Sequence, residues 1–332
     1  MSELLGLNQN RIISGALVVA GLIGGVSIDT AAIGLADLGT KVWDLYEMTG
    51  TPDGSAIADC NVLPWQQVDA TIQRLQEDFS PARRGQLNKS DAAAHAAELN
   101  VHLPRPEDLP TIYPNTSPSA AVKQLSAFTI KEYGFPVTSP SEQPSTTKDA
   151  IDLENAIASF PIELVKAAGV NGIELGADTE LGASGGDGGY NPITQKITFA
   201  HGATKNIGHE LTHAVASASA VEHCGTNAKF GDPNFMAVNP PEFSYDYSTS
   251  DIAWRGITAD RYGATSAAED EAVVGGDILQ PGSDQNDKKK CAYGQSPILD
   301  FKVAAVTARF NDLAPGTGTY VADMMTTLAP CS

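Results

Sequence analysis

Apolar positions change their spacing several times along the chain, and each change predicts an element. From Val62 to Phe79, Trp65, Val68, Ile72 and Leu75 recur at three- and four-residue intervals, the stripe of an amphipathic helix. Lys89–Asn100 is alanine-rich and also predicts a helix. Residues 103–119 are punctuated by prolines and read as a linker or a long surface crossing. A helix is expected over 119–132, followed by a polar, proline-rich passage at 136–149 that is either a domain boundary or a loop crossing a cleft. Residues 150–168 predict a further helix, and Gly172-Ile173-Glu174-Leu175 a short strand. The glycine cluster at 176–192 lacks the lysine and serine of a phosphate loop and predicts a turn beside a sheet. Lys196–Ala200 then reads as a strand, 206–220 as a buried or half-buried helix, and 266–279 as a second helix opened by Ser266. Closing helices are expected at 297–310 and 319–328.

Chemistry enters at His209-Glu210-Leu211-Thr212-His213. Residues four apart on a helix lie one above the other, so the two imidazoles converge while Glu210 sits beside them, where a metal-bound water would be activated. This pentapeptide is the machinery of a zinc peptidase, although so short a pattern also arises by chance on an ordinary amphipathic helix. The strand at 196–200 offers an edge on which an extended peptide could be held by backbone hydrogen bonds, and Gly208 would let chain or substrate approach the helix. The aromatic-rich segment 221–255, with Phe230, Phe235, Met236, Phe243, Tyr245, Tyr247 and Trp254, would supply part of a substrate wall, part of it being ordinary core.

A catalytic zinc takes three protein ligands and leaves one position open. A third histidine six residues beyond His213 is excluded, because that position is Ser219. The candidates are His223, Cys224, Asp260, Glu269, Asp270, Glu271 and Asp277. Glu269 is best placed, at the third position of the helix that Ser266 opens; the competing reading is that it merely completes a capping box with that serine.

Taken together, the HExxH element and Tyr262-Gly263-Ala264-Thr265-Ser266-Ala267-Ala268-Glu269 resemble the gluzincin zinc metallopeptidases, in particular the catalytic domain of anthrax lethal factor and related bacterial peptidases. The resemblance covers roughly 150–310. It implies His209, His213 and Glu269 as metal ligands, Zn2+ as cofactor, Glu210 as general base, and Tyr262, seven residues before Glu269, as an aid at the tetrahedral intermediate. A second glutamate often stands four residues after the third ligand in that family; here Val273 occupies the position, leaving the role to Glu271 or Asp270. Residues 256–263 also look faintly like the GTxDxxYG element of the aspzincins, which keeps Asp260 as a weaker rival.

These readings imply an α+β zincin-like catalytic domain at 150–332 with a small sheet and the HExxH helix. Before it come a mainly helical region at 37–149 and a signal or membrane-anchor segment at 1–36. The activity expected is zinc-dependent endopeptidase cleavage of a peptide or protein substrate; the alternatives are a catalytically inactive zincin-fold binding or structural protein and a non-peptidase zinc hydrolase. A net charge of −19 over 332 residues offers no basic stripe for phosphate contacts and argues against nucleic acid. Residues 12–28 carry no charge and suggest export or a membrane anchor, a glycine-rich core helix in a cytoplasmic protein being the other reading. Cys60, Cys224, Cys291 and Cys331 form no CxxC pair; in an exported protein they would make two disulfides, Cys224 with Cys291 among the three pairing schemes. Oligomeric state is left open.

Overall fold

The computed structural model describes residues 92–140, 145–176, 188–224, 238–240, 243–245, 256–280, 293 and 296–326, with backbone alone at 221–224 and 326. All of them fall in the unit Asp53–Ser332; the other unit, Met1–Pro52, and the helix expected over 62–79 lie outside the described residues.

The first described helix, α1, covers Ala92–Glu98. Helix α2, Pro118–Glu132, starts at a proline, whose fixed φ and missing N–H suit a first turn, and buries Ala121, Val122, Leu125 and Phe128 along one face. Gly134, at φ 92°, closes it with an N–H that reaches the Thr129 carbonyl at 2.9 Å. Strand β1, Val137–Thr138, follows. Helix α3, Thr147–Ile157, opens with a reciprocal cap: the Thr146 hydroxyl accepts from the Asp149 N–H, and the Asp149 carboxylate accepts from the Thr146 N–H at 2.8 Å. The helix expected over 150–168 is two helices, because Pro161 cannot continue α3 and biases Phe160 away from helical geometry; α4 restarts at Ile162–Ala167.

Strands β2 (Gly172–Leu175), β3 (Gly188–Asn191) and β4 (Lys196–Phe199) complete a four-stranded sheet in the order β1-β2-β4-β3. The first three strands in that order run parallel, and β3 pairs antiparallel to β4 with Tyr190 opposite Ile197. Ile173, Leu175, Ile197 and Phe199 are buried in the core. Strand β3 was not expected, since its glycines read as turn. Its glycine is a steric requirement: a Cβ on Gly188 would lie 2.8 Å from the Phe199 ring, so the strand closes over that ring only without a side chain. The edge beside the metal-binding helix is therefore β3, and the strand expected to offer that edge, β4, is internal. Because β1 pairs with β2 and α2 packs on α3 and β1, residues on both sides of position 150 share one core.

Helix α5 (Ile207–Cys224) packs on β3, α6 (Ala267–Leu279) and α7 (Pro297–Leu313) pack on α5 and on each other, and α8 (Thr317–Thr326) packs on α6 and α7. The α+β zincin-like reading is thus met by a small sheet and a helix bearing the HExxH residues.

Two expectations need correction. Among the described residues no helix is long and apolar enough to cross a membrane, so the membrane anchor is withdrawn together with the two localisations, exported and cytoplasmic, argued from residues 12–28; that segment itself lies outside the described residues. No disulfide is present among the described residues, and the side chains of Cys60, Cys224, Cys291 and Cys331 lie outside them, so the disulfide framework is withdrawn as well.

Candidate metal centre

Helices α5 and α6 form the centre by packing almost without side chains between them. A Cβ on Gly276 would approach the His209 backbone nitrogen to 3.0 Å, and one on Gly275 would overlap the Thr212 side chain. Thr212 turns its hydroxyl back to the Gly208 carbonyl at 2.8 Å. At the start of α5 the Gly208 N–H, one of the donors a helix leaves unpaired, donates to Gln280 Oε1 at 2.8 Å. The close approach expected at Gly208 is therefore made by the protein's own Gln280.

This contact sets the Glu269 carboxylate against the histidine pair. Its Oε2 lies 2.9 Å from His209 Nε2 and 3.4 Å from His213 Nε2. Two atoms held by a tetrahedral zinc at about 2.0–2.1 Å stand about 3.3 Å apart, so these separations are those of a ligand set. At the angles present, Glu269 Oε2 is buried and accepts no hydrogen bond. Two imidazole nitrogens and a buried carboxylate oxygen that converge on one point fit a zinc ion, which takes this donor set at catalytic sites. Among the described residues this is the one group of ligating side chains that could hold a metal.

Glu269 resolves both of its sequence readings. Its backbone N–H donates to the Ser266 hydroxyl at 3.1 Å, so it does belong to the helix cap. Its side chain does not complete the reciprocal box and turns to the histidines instead.

Electrostatics follow from burial and proximity. Burial pushes the Glu269 carboxyl up, but the neighbouring His213 and His209 outweigh it and hold the group well below the usual carboxylate range. Burial pushes His213 down, yet the Glu269 charge dominates and raises it to about 9. Glu210, on the same helix, is pushed up by burial; the charges of His209 and His213 and the Tyr190 backbone N–H of β3 offset this only in part. The Tyr262 ring lies 5.7 Å from the His209 ring, centroid to centroid, and is 44% exposed, on the solvent side of the ligands.

The rival ligands are engaged elsewhere. Asp260 Oδ1 accepts from the Gly263 N–H at 2.8 Å, Asp277 accepts from the Tyr293 hydroxyl at 2.8 Å, and Glu271 pairs with Arg309 at 2.7 Å. Asp270 accepts from the Tyr245 hydroxyl at 2.8 Å and from Lys302 Nζ at 2.5 Å. The side chains of His223 and Cys224 lie outside the described residues, as do Phe230, Phe235, Met236, Tyr247 and Trp254. Of the aromatic segment, Phe243 and Tyr245 meet edge to face with centroids 5.1 Å apart. Val273, where the family's second glutamate often stands, is a buried core residue.

Sequence reading missed Lys302 and Arg309, which reach Asp270 and Glu271 from α7. A signal existed: two cations seven residues apart, set among the apolar run Phe301–Phe310, call for buried anionic partners.

The site is thus of the gluzincin type, two histidines from one helix and a glutamate from the next, able to hold a catalytic zinc as in a zinc peptidase. Comparison of the chain with family models, with curated proteins and with solved structures finds no match.

Proposed function

We propose that this protein is a zinc-dependent endopeptidase. The observation that carries the reading is the convergence of His209, His213 and Glu269 on one point, with the buried Glu210 carboxylate on the same helix. His209, His213 and Glu269 would hold the ion, which when bound would lower the pKa of a water and polarise the scissile carbonyl. Glu210 accepts the proton of the attacking water on its carboxylate and delivers it to the leaving amine. Tyr262, on the open side, donates its hydroxyl proton as a hydrogen bond to the oxygen of the tetrahedral carbon. Among the described residues β3 pairs on one side only, and its outer edge would align an extended peptide through backbone hydrogen bonds.

The finer assignment, to relatives of the anthrax lethal factor catalytic domain, rests on Tyr262 standing seven residues before Glu269 and close to His209. We place the catalytic domain over 150–332, with β1 and α2 joined to it because they complete its sheet and core.

Digestion of a peptide library with and without a chelator tests the activity. Cleavage that the chelator abolishes, that zinc restores and that Glu210→Gln loses while keeping its zinc is the expected result. Stoichiometric zinc with no cleavage of any peptide would instead establish the alternative, a zincin-fold binding or structural protein.

A further inference from the structure

Tyr262 hangs from a loop, Gly256–Thr265, and a residue on a loop acts at a defined point only if something rigid holds that loop. Inside the loop the Thr258 hydroxyl donates to the Asp260 carbonyl at 2.7 Å, the Gly263 N–H to the Asp260 carboxylate, and the Thr265 hydroxyl to the Tyr262 carbonyl at 2.7 Å. These bonds shape the loop without fixing it in space. Its anchorage comes from α7: the Ser296 hydroxyl donates to the Gly256 carbonyl, and Lys302 Nζ donates to the Ile257 carbonyl at 2.6 Å. Lys302 spends a second donor on Asp270 Oδ2, which also accepts from Tyr245. Gly263, next to Tyr262, rests on Asp270 so closely that a Cβ there would lie 3.3 Å from the Asp270 Cα.

Lys302 and Asp270 both have fully buried side chains. Taking two charges out of water is costly, and well-packed apolar side chains usually stabilise a core as well or better. What an ammonium adds is direction: it ties a backbone carbonyl of the Tyr262 loop to the first turn of α6, the turn that carries Glu269. We infer that Lys302, acting with Asp270, is a positioning residue that sets the Tyr262 hydroxyl relative to the metal ligands. The inference rests on the peptidase reading above for its kinetic consequence and on geometry alone for the placement of Tyr262.

The test is a cycle of Lys302→Met and Tyr262→Phe in the zinc-loaded protein. Lys302→Met is expected to lower kcat about 10- to 100-fold, no more than the roughly 100- to 1,000-fold loss of an oxyanion donor itself, with KM and zinc content unchanged. In the Tyr262→Phe background the same substitution is expected to change kcat less than about twofold, since there is no hydroxyl left to misplace. Independent losses in the two variants, or loss of zinc from Lys302→Met, would overturn the inference while leaving the peptidase reading intact. A readout that needs no turnover is fluorotyrosine at position 262: its 19F resonance should shift or broaden in Lys302→Met while a label at the exposed Tyr113 stays fixed, and an unmoved 262 resonance overturns the inference even if no peptide is cleaved. Should Lys302→Met fail to fold, the pair Lys302→Met/Asp270→Asn removes the unpaired buried charge and is read by the same measurements.

Discussion

Gly275 on α6 faces Thr212 on α5 so closely that a Cβ built on it would stand 2.2 Å from the threonine hydroxyl oxygen and 2.4 Å from its methyl. Thr212 cannot turn aside, because it is buried and its hydroxyl is committed to the Gly208 carbonyl. It also precedes His213, so the missing side chain at 275 sets the distance between the helix with two ligands and the helix with the third. Gly275→Ala is expected to cost about 1–3 kcal/mol by overpacking, against a gain of about 1 kcal/mol in helix propensity. It should weaken zinc binding about 10-fold or more, as loss of a ligand's support does. Thr212→Gly in the same chain should restore most of the affinity, because the Thr212 Cβ itself would stand 2.8 Å from the new methyl. Titration against a chromophoric chelator measures both, and a single variant that binds zinc like the parent would disprove the role given to this contact.

Glu269 makes two separable contributions, and a substitution can divide them. Its backbone N–H caps against Ser266, so Glu269→Ala leaves the start of α6 intact while removing the oxygen that faces the histidines. Zinc affinity should fall by more than about 100-fold, which is about 3 kcal/mol. Circular dichroism should show an unchanged helix content. Unchanged tight zinc binding would remove Glu269 from the ligand set.

How much of this was legible in the sequence depended on how local each signal is. The two metal helices were, because HExxH and the Ser266 cap with Glu269 are each written within a few residues. Strand β3 was not, because its glycines carry no β signal and become a strand only where Phe199 needs room. The two-residue β1 is too short to show a period. That Asp270 and Glu271 serve cations instead of the metal could not be read locally either: Lys302 and Arg309 stand 32 and 38 positions away and arrive through the packing of α7.

The metal-free protein should lose stability as pH rises, and zinc should reverse that slope. His213 is raised to about 9, so its contribution is complete below its ordinary pKa of 6.5 and is lost as pH climbs through about 9. Glu210, an acid raised by burial, acts in the same direction, since the folded state holds its proton longer than the unfolded chain. Glu269 is depressed, so its contribution is present above its ordinary 4.5 and is lost only in stronger acid. Zinc requires neutral imidazoles and displaces the proton that the Glu269 charge holds on His213, so its binding strengthens with pH. Thermal melts from about pH 6 to about pH 9 should therefore show a gap between zinc-loaded and metal-free protein that widens with pH. A gap that narrows would mean that the ion pair is not what the metal replaces.

Arg309 joins the two ligand helices from a third. Its Nε lies 2.7 Å from Glu271 on α6, and its Nη1 donates to the Ser219 hydroxyl on α5 at 3.1 Å, with both charged side chains buried. Ser219 is the position where a third histidine ligand would stand in another zincin class, and here it serves as an anchor for the guanidinium. Arg309→Met leaves the Glu271 carboxylate buried and without its cation, which should cost about 3–5 kcal/mol. Glu271→Met/Arg309→Met removes both charges and should recover most of that loss, because the pair offsets its own desolvation and little more. Ser219→Ala alone removes one hydrogen bond to a charged group and should cost about 1.5–3 kcal/mol. Denaturant unfolding of the zinc-loaded variants gives the coupling directly. Additive losses for Glu271→Met and Arg309→Met would show that the two side chains contribute separately, and that the ion pair does not couple α6 to α7.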